Sequence, residues 1–112
     1  MREAALGAPK TKKFEIETDC INQLMSGVYE LEVSLTARDG MRRAGVDLTD
    51  VQYVGSTGRV VHSDMLGNRG LWVVRGDTVE GVAIDVTVAV VSSEYEVEVR
   101  EVCSVKVRGN RS

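Results

Sequence analysis

Residues 82–91 read Val82-Ala-Ile-Asp-Val-Thr-Val-Ala-Val-Val91, and this stretch decides the fold. Val82, Ile84, Val86, Val88 and Val90 fall on alternate positions, the two-residue period of a strand with one apolar face. The intervening Ala83, Asp85, Thr87, Ala89 and Val91 make a second face that begins polar and ends apolar. A strand with that pattern is central in its sheet, covered fully on one side and partly on the other.

Strand patterns flank it on both sides. Arg59 to Met65 reads as a strand, Gly67-Asn-Arg-Gly70 as a turn, and Leu71 to Gly76 as the next strand. Asp77 to Gly81 is the loop into the central strand. After Ser92-Ser93, alternation resumes over 95–105, with Tyr95, Val97 and Val99 against Glu94, Glu96 and Glu98. Connections this short join antiparallel neighbours, so the sequence predicts a four-stranded meander. Two short helices precede it. The first spans 36–44, with Thr36 as cap, Ala37, Met41 and Ala44 as inner face and Gly45 as a left-handed stop. The second spans 48–54, with Asp47 as cap, Asp50 three residues on, and Leu48, Val51 and Val54 as its buried stripe. The fold class expected is α+β, an antiparallel sheet of at least four strands with the two helices on one face.

The amino-terminal third is less determined. Phe14, Ile16 and Thr18 alternate with Glu15 and Glu17, which predicts a short half-buried strand. Asp19 then caps a turn or short helix through Met25, ended by Ser26-Gly27. From Val28 the period of two returns, with Tyr29, Leu31, Val33 and Leu35 on one side. A hairpin and a strand after a helical link fit equally.

At 112 residues there is room for one domain, spanning 14–107 in this reading. Residues 1–13, four basic against one acidic, read as a disordered basic arm, and 108–112 as a flexible tail. Between the arm and Lys106 the body carries seven basic and sixteen acidic residues, a net −9. Phosphate backbones are gripped by a basic footprint, so an acidic body disfavours RNA as a partner. No apolar run approaches the roughly 20 residues that span a bilayer, and no leader precedes a cleavage site. A cytoplasmic protein with reduced thiols is the expectation, and a Cys20–Cys103 bridge the less favoured alternative. One histidine and scattered carboxylates lack ligand spacing, so neither a metal nor another cofactor is expected. The chain carries no phosphate loop and no dinucleotide fingerprint.

Five residues are singled out as candidates. His62 is the sole histidine, on one side of its strand with Val60, Asp64 and Leu66, and so the one imidazole available to move a proton. Arg75 shares parity with Leu71 and Val73 and is either an anion ligand or, more favoured, paired with Asp77, Asp85 or a glutamate. Trp72 and Tyr95 are the aromatic anchors expected in an interface. A second sheet face, carrying Trp72, Val74, Ala89 and Val91, is expected to need cover. Glu101 is a lone charge among apolar partners if its strand keeps register. A bulge between Arg100 and Val102 turns it outward, which is simpler than a buried pair with Arg75.

Ala37, Met41, Gly45, Val46 and Asp50-Val51, then Gly58, then Trp72-Val-Val-Arg-Gly-Asp-Thr-Val-Glu-Gly81 and the valine-rich strand, carry a resemblance. Over about residues 30–103 the chain resembles a family of small uncharacterised bacterial domains related to the MqsR and RelE type of messenger-RNA-cleaving toxins. The resemblance implies a RelE-like fold, a toxin–antitoxin or mobile-element setting, and an antitoxin-like protein partner. It breaks where that chemistry would sit: the family's leading histidine stands here as Thr36, its first arginine as Gly40 and its second as Ala44. Imidazole moves protons and guanidinium grips oxyanions, so these losses favour a non-catalytic interaction module, expected as a homodimer. The alternative is a ribonuclease in which Arg75 holds the phosphate and His62 or a carboxylate such as Glu101 moves protons.

Overall fold

A computed structural model of the chain describes residues 13–27 and 30–109. Three helices lead into a four-stranded sheet: α1 Glu15–Ser26, α2 Leu35–Ala44, α3 Leu48–Thr57, β1 Arg59–Leu66, β2 Arg69–Asp77, β3 Ala83–Ser92 and β4 Val97–Gly109. The sheet is antiparallel in the order β1-β2-β3-β4, the meander that the short connections imply. β3 lies between β2 and β4, and Ile84, Val86, Val88 and Val90 are buried while Asp85, Thr87, Ala89 and Val91 are half-buried. β4 runs on to Gly109, so Arg108, expected in a tail, belongs to a strand.

All three helices pack on the same face of the sheet. Ile21 and Met25 of α1, Ala37 of α2, and Val51 and Val54 of α3 form one core with Val60, Trp72, Val74, Val86, Val88, Val102 and Val105. Burial of that apolar face is the main stabilising contribution.

α1 replaces the strand expected over 14–18. Read over a wider window, Phe14, Thr18, Ile21 and Met25 recur at spacings of four, three and four, the stripe of a helix. Ile16, which the strand reading set beside Phe14, is 83% exposed. Glu15 and Glu17 sit in the first turn, where the helix dipole favours negative charge. Asp19 therefore lies inside the helix and caps nothing.

Val28 and Tyr29 of the expected second strand lie outside the described residues. Beyond them, only Val33 pairs, in a single parallel bridge to Val102. Val102 N–H donates to Glu32 O at 2.8 Å and Ser34 N–H to Val102 O at 3.0 Å. Ser34 then ends the extension. Its hydroxyl accepts from Ala37 N–H at 3.0 Å and donates to Cys103 O at 2.9 Å, making it the cap in place of Thr36. α2 thus starts at Leu35, which is exposed.

α2 closes at Gly45, left-handed at φ 72. It also lies unusually close to β4, because a Cβ built on Gly40 would fall on the carbonyl oxygen of Val105. α3 begins with the expected capping box: Asp50 N–H donates to Asp47 at 2.9 Å, and Asp47 N–H to Asp50 at 3.0 Å.

Candidate functional site

The sheet face turned away from the helices is uncovered by any other described element. Its composition follows from register. Side chains directly opposite each other on neighbouring strands share a face, and four rows cross the open side. The first row is Arg59, Arg75, Asp85 and Lys106; the second is His62, Val73, Thr87 and Ser104. The third is Asp64, Leu71, Ala89 and Glu101; the fourth is Leu66, Arg69, Val91 and Glu98.

Bulges decide which residues appear there. In β1 the pairing slips at Val61, so Val60 enters the core while His62, Asp64 and Leu66 face outward. The shared side expected for Val60 and His62 is thereby corrected. In β4 the register shifts at Arg100, again at Cys103 and again at Arg108. The shift at Arg100 brings Glu101 opposite Ala89 on the open face, as the bulge reading expects.

The first row ends in a charge network. Arg75 Nε donates to Asp85 Oδ1 at 3.0 Å and its NH2 to Asp85 Oδ2 at 3.2 Å, a two-pronged pair. Arg108 reaches Asp77 at 3.4 Å and lies 3.9 Å from Asp85. The hydrogen bond and then the charge of Asp85 raise the pKa of Arg75 above its already high ordinary value. The Arg75 guanidinium is therefore engaged with protein carboxylate, the pairing favoured on sequence grounds. A shallow hollow of about 410 Å³ adjoins it, lined by Tyr53, Thr57, Arg59 and Thr78 among others.

Towards the fourth row the face turns apolar. Leu71 is 45% and Leu66 87% exposed, and with Ala89, Val91 and Arg100 they line a hollow of about 540 Å³. Cys103 points into the same side, with Sγ 3.8 Å from Glu101 Oε1. Burial first, then the charge of Glu101, pushes its thiol pKa up. Cys20 is raised likewise by burial and by Glu17, and both thiols are free.

The five candidates do not gather at one point, although His62 and Arg75 are diagonal neighbours on adjacent strands. His62, Arg75 and Glu101 share the open face but stand on β1, β2 and β4 in three different rows. At about 4.8 Å per strand, His62 and Glu101 are about 14 Å apart or more. Trp72 is 6% exposed and pairs with Val88, so it belongs to the helix-covered face and not with Ala89 and Val91. The same holds for Val74, opposite Val86. The parity that puts Arg75 outward must put Trp72 inward. Tyr95 lies in the β3–β4 hairpin, 89% exposed. Lys106, Arg108 and Ser104 escaped the sequence reading as parts of this face. The polar phase of β3 pointed to Thr87, whereas the bulges that turn Lys106 and Arg108 outward leave no mark in the sequence.

On α2, Gly40 and Ala44 face the sheet, so arginines there would be driven into the core. Arg42 and Arg43 on the outer side pair with Asp39 at 3.2 and 2.8 Å. Among the described residues, no group of three or more His, Cys, Asp or Glu side chains is placed to hold a metal ion, and no helix is long and apolar enough to cross a membrane. No family model matches the chain, and no curated protein and no solved structure matches it.

Proposed function

We propose that this chain is a non-catalytic protein-interaction module on a toxin-like scaffold, and that the open face of its sheet is the working surface. One observation carries the reading: a whole sheet face, apolar in its middle strands towards the fourth row and charged along its outer strands, has no covering element among the described residues. Water wets such a patch at a cost, and a partner removes that cost. A ribonuclease would bring a proton-transfer group and a free cation to one point. His62 is a diagonal neighbour of Arg75, but Arg75 is held by a two-pronged pair with Asp85, and Glu101 lies two strands away on β4. Close packing of α2 on β4 at Gly40 supports the same reading, because that position has no room for an arginine, and the exposed Arg42 and Arg43 of the same helix pair with Asp39. A RelE-like frame and an antitoxin-like partner are parts of this proposal.

The direct test is incubation of the purified protein with a mixed messenger-RNA pool, followed by mapping of new ends. No cleavage is expected. Cleavage that disappears in Arg75→Ala or His62→Ala would overturn the reading and make the chain an enzyme.

A further inference from the structure

We infer that the occupant of the open face is a second copy of this chain, packed sheet to sheet about a two-fold axis that runs across the strands. The inference rests on the interaction-module reading and names its partner. Such an axis lays β1 on β1 and β4 on β4 with their directions reversed, so the first row of one copy meets the fourth row of the other. The outer strands are charged for that arrangement. β4 carries Lys106 and Arg108 at its first-row end and Glu101 and Glu98 at the other. β1 carries Arg59 at the first-row end and Asp64 near the other.

Rotation places each basic end over the second copy's acidic end, twice per dimer. The middle strands supply the apolar part, with Leu71, Val73, Ala89 and Val91 near the axis and towards the fourth row. On β2, Arg69 comes over Arg75 of the other copy, whose charge is already met by Asp85. An axis along the strands would instead set basic end on basic end, so the charge layout selects one of the two symmetric packings.

The size of the face agrees. Four strands and four rows give a footprint of roughly 500 Å² per copy from strand and residue spacings. Twice that, about 1,000 Å², is at the lower limit for a specific interface and implies a reversible dimer. Charge pairs at its rim will govern its salt dependence more than its core.

Sedimentation equilibrium of the full chain with charge-reversed variants tests this. One variant carries Glu98→Lys with Glu101→Lys, the other Lys106→Glu, so that only the β4–β4 contacts are altered. Either alone places like charges at both β4–β4 contacts of the dimer and is expected to stay at monomer mass, with circular dichroism reporting an intact fold. An equimolar mixture has opposite charges at both β4–β4 contacts and is expected to double in mass. Failure of the mixture to associate, or a wild-type chain that stays monomeric at hundreds of micromolar, overturns the inference. So does a monomer that dimerises only when residues 1–12 are removed, since that arm would then be the occupant. These outcomes leave the non-catalytic reading to the RNA assay, so the two fail separately.

Discussion

Substitution of Gly40 by alanine probes the close α2–β4 packing that leaves no room for a side chain at that position. In an ordinary helix interior the change would stabilise by up to about 1 kcal/mol, because glycine loses more backbone freedom on folding. Here the added Cβ meets the Val105 carbonyl, a backbone group that cannot rotate away. α2 must therefore lift off β4, loosening Ala37 and Met41 from Val102 and Val105. Overpacking of a well-filled core costs about 1–3 kcal/mol, and a rigid backbone contact belongs at the upper end. Subtracting the helix gain leaves a net loss of about 2 kcal/mol, a sizeable part of the 5–15 kcal/mol typical of a domain. At about 4–8 °C per kcal/mol, Tm should fall by about 8–16 °C. Thermal and urea melts followed by far-ultraviolet circular dichroism measure both. A Gly40→Ala chain as stable as the wild type, or more so, would refute the close α2–β4 contact and the argument drawn from it.

Substitutions at three further sites separate the other contributions. Trp72 Nε1 is buried without a hydrogen-bond partner. Trp72→Phe should therefore stay within about 1 kcal/mol of wild type in urea melts, the relieved donor offsetting lost volume, whereas Trp72→Ala should cost about 3–5 kcal/mol. Asp47→Ala removes the cap of α3 and should cost about 1 kcal/mol, while Asp47→Ser should cost little. Cys103 should alkylate slowly at neutral pH, because burial and then Glu101 keep it protonated. In a Cys20→Ser background, Glu101→Gln should lower that pKa and quicken the reaction with iodoacetamide; an unchanged rate would count against the Cys103–Glu101 contact.

Much of the fold was legible because local and global signals agreed. The alternation of residues 82–91 gave a central strand and its covered face, and Asp47 with Asp50 gave the start of α3. The amino-terminal third misled because a five-residue window of alternation also fits a helix once Ile21 and Met25 are counted. Ser34 displaced Thr36 as cap through a bond to Cys103, a contact between residues 69 positions apart that no local pattern encodes. Register was the larger obstacle. Each bulge, at Val61, Arg100, Cys103 and Arg108, reverses the facing of the residues beyond it in the strand. The bulge at Glu101 was legible from a charge out of place. The partners of Trp72 were not: its own parity was clear, but its alignment with Val88 rather than Ala89 depends on the connection between Asp77 and Ala83.

Binding through the open face can be followed residue by residue in amide spectra of the isotope-labelled chain, compared between micromolar and millimolar concentration. Concentration-dependent shifts are expected at Leu71, Val73, Thr87, Ala89 and Ser104, with the amides of α1 and α3 unmoved. Shifts gathered instead around Arg38, Met41 and Arg42 of α2, or none anywhere, would contradict binding through the open face.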